Sequence, residues 1–275
     1  VIRHAAGGWQ WSGNYQSHAV DAEPTPTLSV AAQQTATGFA QWYSTLAQAP
    51  AGVAMAVPTE KTIVHTFDLD MPLQDDEAQL VVPVQAAQLW GLQPHAYALD
   101  FVINGNTDQP QVQLVAIEHE RVQWAHQLAL AAGVHLQLLD MAWSAWQAAI
   151  CQPIWPGVNA EWQGQRQVLM LGEQTMGLCH SLAGAAWQWQ RIAAWPHGRW
   201  QEALVGALAA LPSAGCLWIA ALDAPEPDLL QDWSLLLGRE CRMLLPTHCV
   251  HGAPEQAQAG HWWVALGLAL RGASA

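Results

Sequence analysis

The chain has 275 residues, 52% of them hydrophobic, and a formal net charge of −13, because 22 acidic residues outnumber nine lysines and arginines. This length allows one large domain or two small ones, and the apolar fraction is enough for a core, which argues against a disordered chain. The charge argues against nucleic-acid binding and against unaided docking on an anionic membrane, since both require clustered positive charge. It fits a solubilising surface, the simpler explanation, or a basic partner.

No apolar run reaches the roughly 18–20 residues that a transmembrane helix needs, so we expect no membrane insertion. No signal peptide is visible, although the chain opens at Val1 rather than at Met, which leaves the natural N-terminus open. The five cysteines are irregularly spaced, and Cys179 and Cys216 lie in apolar runs typical of buried thiols. This pattern favours a reducing compartment over a disulfide framework.

Hydrophobic periodicity and turn residues predict a mixed α/β fold without a sequence repeat. In chain order the predicted elements are a hairpin over 5–19, a linker over 20–27, a helix over 29–48, strands over 53–57 and 62–69, a helix over 75–90, strands over 97–103 and 112–117, a helix over 120–132, a strand over 134–139, a helix over 141–150, strands over 168–171, 176–181 and 186–192, a helix over 198–211, a strand over 216–220, a helix over 227–237, a strand over 241–245, a flexible loop over 252–260 and a helix over 261–270. Pro83 is expected to kink or break its helix.

The region 165–191 carries the first functional candidate. Its first two strands are joined by the polar turn Gly172-Glu173-Gln174-Thr175. A strand, a small polar turn and a second strand is the arrangement with which one half of an actin-like ATPase holds nucleotide phosphates. Whether this turn retains that chemistry decides between an enzyme and a scaffold.

Other catalytic patterns receive little support. The chain has no G-x-S-x-G elbow and no G-x-G-x-x-G after a strand, and its single lysine, Lys61, lacks the context of a phosphate-binding loop. The loop that contains His248, Cys249 and His251 could supply soft ligands to zinc, but no C-x-x-C completes a tetrahedral set, and only Cys241 is near in sequence.

Three groups of charged residues have a structural explanation beside a functional one. The run 118–120, Glu-His-Glu, could orient a general base, and a solvated helix start explains it better. Asp100 could anchor a ligand in a cleft or bond to the nearby backbone. The acidic run 75–77 could bind a metal, but its complementarity to the helix dipole is the preferred explanation.

Several strings, in the same order and at the same spacing, resemble the type IV pilus assembly protein PilM family, in particular its divergent HofM-type or competence-linked members. The strings are AVPTEKTIVHTFDLDMP over 56–72, ALDFVI over 98–103, VQLVAIEHERV over 112–122, AAGVHLQLLD over 131–140 and VALGLALRG over 264–272. Together they span most of the chain, and the last, which resembles the closing helix of the family, is the most specific.

The resemblance implies an actin-like fold of the FtsA/PilM type with an inserted α+β subdomain. It places part of a first actin-like subdomain at 1–57, the insert at 58–140 and the second half with the closing helix at 141–275. The N-terminal phosphate strand has no counterpart in the chain. The resemblance also implies a cytoplasmic protein, peripheral to the inner membrane of a Gram-negative bacterium, that binds the short N-terminal tail of the membrane protein PilN in a cleft beside the insert. Because such tails carry arginine, an acidic receptor would attract them electrostatically.

Two departures from the family pattern concern the nucleotide. Met170 stands where the family has the aspartate that positions magnesium, and a thioether does not bind a hard cation. The run Ala220-Ala221-Leu222 replaces a Gly-Gly that lets the backbone approach adenine. Gly172, Gln174 and Thr175 remain as a degenerate phosphate turn. We therefore expect no catalytic residue, no bound metal and no nucleotide cofactor, although ATP with magnesium stays a disfavoured alternative.

Three hypotheses follow from the sequence. The first is a scaffold of a pilus or DNA-uptake complex that binds a PilN-like tail and other proteins of the inner-membrane complex. The second is an active ATPase or nucleotide switch with the same fold. The third, from another class, is a metal-dependent enzyme that uses the loop from His248 to His251.

Overall fold

The structure of the chain is a computed structural model. It describes residues 2–5, 8–11, 28–45, 52–104, 110–152, 155, 157–159, 166–172, 175–181, 187–194, 199–212, 215–222, 227–250 and 262–272. The chain folds into two compact units. One comprises Tyr15–Ala142, and the other comprises Val1–Asn14 together with Trp143–Ala275. The finer division at residues 57 and 140 stays a prediction.

Helices and strands alternate along the described chain. In order they are β1 (Ile2–Ala5), β2 (Gly8–Trp11), α1 (Val30–Ser44), β3 (Val53–Val57), β4 (Ile63–Asp68), α2 (Asp75–Trp90), β5 (Tyr97–Asn104), β6 (Gln111–Glu118), α3 (His119–Ala131), β7 (Leu136–Met141), α4 (Ala142–Ile150), β8 (Arg166–Leu171), β9 (Thr175–Ser181), β10 (Gln188–Ala194), α5 (Trp200–Ala209), β11 (Leu217–Ala221), α6 (Pro227–Leu237), β12 (Cys241–Met243) and α7 (Trp262–Gly272). Short 3-10 turns cover Thr59–Lys61 and Pro246–His248.

In the unit Tyr15–Ala142, a three-stranded antiparallel sheet of order β4-β6-β5 packs against α2. The helix turns Ala78, Val82 and Ala86 inward, at the four-residue spacing of one helical face. These small side chains meet the buried residues of β6, which alternate with half-buried ones along the strand. Trp90 completes the layer by stacking on His65 of β4, with ring centroids 4.0 Å apart.

Helix α2 differs from its prediction at one residue. It runs unbroken from Asp75 to Trp90 with Pro83 inside it, so of the two predicted outcomes, a kink or a break, the break is wrong. The burial of Ala78, Val82 and Ala86 on either side of the proline holds both halves on the sheet, and this packing offsets the lost hydrogen bond. Gly91, in the left-handed region with φ of 69°, ends the helix as expected.

The second layer of this unit contains α1, α3 and a parallel pair of strands, β3 and β7. Helices α1 and α3 contact each other and bury alanines spaced four residues apart, Ala32 and Ala36 in one and Ala125 and Ala129 in the other. Ser29 caps α1 by accepting a hydrogen bond from the Ala32 N–H. Helix α1 ends at Ser44, earlier than the predicted residue 48, where the Thr45 hydroxyl donates to the Trp42 carbonyl.

The other unit is built on a five-stranded sheet of order β10-β9-β8-β11-β12. Strands β8, β11 and β12 are parallel, whereas β9 and β10 run antiparallel to their neighbours. Helices α5 and α6 cover one face through Leu204 and Trp233. On the other face, α4 places Trp143 against Gly177 of β9, and α7 crosses α4 at Gly267. All residues of β8 and β11 are buried, as expected for central strands covered on both faces.

Most predicted elements in this unit are confirmed, with ends that differ by at most two residues. In the N-terminal segment a hairpin pairs Ile2–Ala5 with Gly8–Trp11, and positions 12–19 of the predicted hairpin lie outside the described residues. The linker over 20–27 and the loop over 252–260 lie outside the described residues. Cys179 and Cys216 are buried free thiols, as expected. Among the described residues, no helix has the length and apolarity needed to cross a membrane.

Gly267 and Gly206 give a matched test of this packing. A Cβ at Gly267 would overlap the backbone carbonyl of Ala145 in α4, whereas a Cβ at Gly206 in α5 would meet no atom within 4 Å. We expect Gly267→Ala to lower the free energy of unfolding by about 1–3 kcal/mol or more. Gly206→Ala should raise it by about 0.5–1 kcal/mol, because alanine is the better helix former. Urea unfolding of both variants measures the difference, and equal effects would contradict the close crossing of α4 and α7.

Candidate functional site

The turn between β8 and β9 is the first candidate site predicted from the sequence. The Gly172 N–H donates a hydrogen bond to the Thr175 carbonyl at 2.8 Å, which closes the turn. Thr175 is half-buried at the start of β9, and Gln174 lies outside the described residues. The predicted strand-turn-strand arrangement is therefore present, and its chemistry depends on the side chains around it.

Met170, for which the sequence resemblance implies the position of an aspartate, has apolar surroundings. Its side chain is fully buried, and its Sδ atom lies 3.3 Å from the Sγ atom of Cys179. In the strand register Met170 is paired with Gly177 of β9 on one side and with Ala220 of β11 on the other. A buried thioether among such neighbours offers no ligand to a hard cation.

The two strand ends at which the sequence departs from the family pattern lie side by side. Strand β11 is the parallel neighbour of β8, so Ala220 and Ala221 lie beside Met170 and Leu171. Both alanines are buried, and the Leu222 N–H continues the ladder by donating to the Leu171 carbonyl at 3.0 Å. The carboxyl ends of adjacent parallel strands are the usual ligand-binding edge of an α/β sheet. The described residues of these two strand ends, 170–172 and 220–222, include no carboxylate that could hold a magnesium ion.

Trp143 is a residue of this region that the sequence reasoning missed. Its indole covers Gly177 so closely that a Cβ there would overlap the ring, and it lies 3.6 Å from the Cβ position of Gly172. Trp143 is itself buried and makes an edge contact with Trp146. The only sequence signal for this packing was the pair of glycines, since a tryptophan in an apolar helix has many possible neighbours. The indole fills space beside the turn.

A second candidate site is a cavity of about 230 Å³ in the unit Tyr15–Ala142, inside the predicted insert. It lies where β4 and β5 begin and β6 ends. Its walls are formed by residues of the turn before β4, by these three strands and by α3, namely Glu60, Lys61, Thr62, Ile63, Tyr97, Ala116, Glu118 and Arg121. The volume is smaller than the roughly 300–1,000 Å³ of most small-molecule sites, and it suits one or two side chains of a peptide.

Charges surround an apolar centre in this cavity. Arg121 donates through Nε to Glu118 Oε2 at 3.0 Å, so these two charges are paired. Glu60 and Lys61, both exposed, add one charge of each sign at the 3-10 turn. Ile63 and Ala116 pair across β4 and β6 to form the apolar part. The lining thus has two acidic and two basic side chains beside Ile63, and such a cavity can bind an apolar side chain.

Structural roles account for the other charged candidates. His119 Nε2 lies 2.9 Å from the Pro94 carbonyl, and Glu118 pairs with Arg121. Asp100 is exposed and accepts a hydrogen bond from the Phe101 N–H. Glu77 accepts a hydrogen bond from the Gln74 N–H at the start of α2. For each of these charged candidates, a specific contact therefore supports the structural explanation that the sequence suggested.

In the loop proposed as a metal site, His248 has a structural role. His248 Nδ1 accepts a hydrogen bond from the Leu245 N–H at 3.1 Å, and burial lowers the pKa of this histidine. Cys249 is buried, which raises the pKa of its thiol, and His251 lies outside the described residues. Within the described part of the chain, no three His, Cys, Asp or Glu side chains are grouped to hold a metal ion.

Substitutions at Met170 test the character of the first site. We expect Met170→Asp to lower the free energy of unfolding by on the order of 3 kcal/mol, because the carboxylate would be buried without a partner. Met170→Leu, the size-matched control, should cost less than about 1.5 kcal/mol. Urea unfolding with and without Mg-ATP measures both effects. Stabilisation of the wild type or of Met170→Asp by Mg-ATP would show that the edge of the sheet still binds nucleotide.

His248 gives a pH-dependent prediction. Its pKa in the folded protein is below the unfolded value of about 6.5, so its contribution to stability is complete above that pH and is lost as the pH falls below it. His248→Asn keeps an acceptor for the Leu245 N–H but does not titrate. We expect the wild type to lose more stability than this variant between about pH 7.5 and pH 5.5 in urea unfolding. Equal losses would mean that the imidazole protonates as easily in the folded chain as in the unfolded one.

Comparisons with known proteins agree with this architecture. No family model matches the chain, and no curated protein matches its sequence. Among solved structures, it is similar to the PilM-PilN type IV pilus biogenesis complex, with a TM-score of 0.66 and 15% identity over 98% of this chain and 94% of that chain.

Two further structures are similar at lower scores. The cytoplasmic domain of EpsL, an inner membrane component of the type II secretion system of Vibrio cholerae, has a TM-score of 0.47 and 11% identity, over 100% of this chain and 94% of that chain. A Bacteroides thetaiotaomicron protein with an actin-like ATPase fold and unknown function has a TM-score of 0.40 and 6% identity, over 78% of this chain and 73% of that chain. The predicted actin-like α/β fold is confirmed, and the resemblance to PilM seen in the sequence is confirmed at the level of the fold.

Proposed function

We propose that this chain is a cytoplasmic scaffold of a type IV pilus or related DNA-uptake complex at the inner membrane. In this proposal it binds the short N-terminal tail of a PilN-like membrane protein and no longer binds nucleotide. The observation that carries the proposal is the similarity to a PilM-PilN complex over 98% of this chain. The fold alone does not assign a function, so the remaining support comes from the two candidate sites.

The cavity beside β4, β5 and β6 supports peptide binding. It combines an apolar wall at Ile63 and Ala116 with carboxylates at Glu60 and Glu118. A tail with one apolar residue next to an arginine would place the apolar side chain inside and the guanidinium at the rim. The net charge of −13 would add long-range attraction for such a tail and speed its association.

The edge of the five-stranded sheet supports the loss of nucleotide binding. Met170 and Ala220 are adjacent, fully buried and uncharged. An active ATPase of this fold would need a carboxylate for its metal ion and open backbone near the base, and both positions are filled here by apolar side chains. A protein that keeps the fold without this chemistry is suited to presenting a binding surface.

Titration with a synthetic peptide tests the proposal. The probe is the N-terminal cytoplasmic segment of the inner-membrane protein encoded beside this chain, and calorimetry should give micromolar or tighter affinity. We expect Glu60→Gln to weaken binding about 3- to 10-fold, with less dependence on salt, because a rim carboxylate is lost. Glu118→Gln should weaken binding further, since it also leaves the positive charge of Arg121 unpaired.

Asp68→Asn is the matched control. Asp68 lies at the opposite end of β4, about 17 Å from the cavity by strand geometry, and accepts a hydrogen bond from Gln111 that asparagine can also accept. The affinity of the Asp68→Asn variant for the peptide should stay within about twofold of that of the wild type. Absence of binding would remove the scaffold proposal, and an equal loss in all three variants would place the peptide elsewhere on an acidic surface.

A further inference from the structure

Three sulfur atoms converge where α4 meets the five-stranded sheet. Cys151 follows the last residue of α4, while Cys179 and Met170 lie on β9 and β8. The Cys179 thiol is within hydrogen-bonding distance of two sulfur acceptors, Met170 Sδ at 3.3 Å and the thiol of Cys151. Because an anion is the stronger hydrogen-bond acceptor, ionisation of Cys151 would favour the bond from Cys179 to Cys151 over the bond to Met170.

A buried cation lies beside this cluster. Arg166 is 9% exposed, and its guanidinium lies between two indoles, with centroid distances of 5.2 Å to Trp155 and 4.6 Å to Trp187. It donates through Nη1 to the Gln152 carbonyl. The ion pairs among the described residues involve other arginines, so no described carboxylate neutralises Arg166. The anions that face it are the sulfurs of Cys151 and Cys249, if either ionises.

Exposure and hydrogen bonding distinguish these two thiols. Cys249 is buried, whereas Cys151 is half-buried at the end of its helix. The hydrogen bond from Cys179, together with the charge of Arg166, lowers the pKa of Cys151. The other four thiols shift the opposite way: the hydrogen bond to Cys151 and burial raise the pKa of Cys179, and burial raises that of Cys216 to about 12 and also those of Cys241 and Cys249.

We propose that Cys151 and Cys179 form an oxidation site in which a hydroperoxide converts the two thiols into an intramolecular disulfide. The half-exposed Cys151 meets the oxidant, and the thiol of Cys179 beside it is the resolving group. An accessible thiolate next to an arginine and a second cysteine is the arrangement of reactive thiols in proteins. The three sulfurs are also soft metal ligands, but the adjacent charge of Arg166 disfavours a bound cation.

The reaction has two balanced steps. The Cys151 thiolate attacks the peroxide oxygen, the O–O bond breaks, and the sulfur becomes a sulfenic acid as the alcohol or water leaves. The Cys179 sulfur, giving up its proton, then attacks the sulfur of Cys151 and forms the S–S bond. The sulfenic oxygen leaves as water. In total, two thiols and one hydroperoxide give one disulfide, one water and one alcohol, or two waters from hydrogen peroxide.

The test treats the reduced full chain with a small excess of hydrogen peroxide. The sample is then denatured, alkylated and examined by mass spectrometry. We expect a mass loss of about 2 Da before alkylation, a fall in alkylated cysteines from five to three, and a crosslinked peptide pair that contains Cys151 and Cys179. Cys249→Ser should form the same disulfide, and Cys151→Ser should form none.

The variant Cys179→Ser identifies the attacking sulfur. With the resolving thiol removed, Cys151 should stop at the sulfenic acid and become labelled by dimedone after peroxide treatment. In the native reduced chain near pH 7, iodoacetamide should alkylate Cys151 at least about tenfold faster than any other cysteine. Arg166→Lys, which keeps the charge, should preserve that rate, whereas Arg166→Gln should slow it.

Three results would overturn the proposal. They are retention of five free thiols after peroxide treatment, a disulfide that involves Cys249 or a second molecule, and alkylation of Cys151 no faster than that of the buried cysteines. If Arg166→Gln fails to fold, the comparison of Cys179→Ser with Cys249→Ser still decides the matter. None of these outcomes depends on peptide binding, so this proposal and the proposed function can fail separately.

Discussion

The parallel pairing of β8 with β11 is the contact on which the second half of the molecule depends. Both strands are buried along their whole length, with α5 and α6 on one face and α4 on the other. Strands covered on both faces are held in register by many apolar contacts at once. This register places Met170 beside Ala220 at the edge where proteins of α/β architecture usually bind ligands. A charged side chain at either position would have to be buried, so the apolar character of this edge is part of the core.

The same packing offers a reason why the fold could persist after the loss of nucleotide binding that we propose. A carboxylate at position 170 would need a metal ion or hydrogen-bond donors to offset its burial. A methionine needs neither, and its sulfur contacts Cys179. Trp143, packed over Gly177 and close to Gly172, fills space beside the turn. We infer that these apolar contacts stabilise the strand-turn-strand unit without help from a ligand.

The cavity in the unit Tyr15–Ala142 shows the opposite arrangement, with charges around an apolar centre. Sequence reasoning placed the binding cleft beside the insert over 58–140 but could not name its residues. The lining residues come from a turn, three strands and a helix and are up to 61 positions apart, between Glu60 and Arg121. They come together because β4 and β5 pair with the two sides of β6. No local pattern contains that information, since strand order depends on contacts between distant segments.

The sequence by itself determined the order and type of nearly all the elements, because hydrophobic periodicity, glycine stops and capping residues act over a few neighbouring residues. It also showed a methionine at position 170, where the resemblance implies an aspartate, which is a matter of residue identity. The tertiary structure decided what surrounds those residues. It kept α2 unbroken through Pro83, placed Trp143 over two glycines, and brought Cys151 beside Cys179 and Arg166. These outcomes depend on which distant side chains share a face of a sheet, and the energies of such packing exceed the local preferences that a sequence displays.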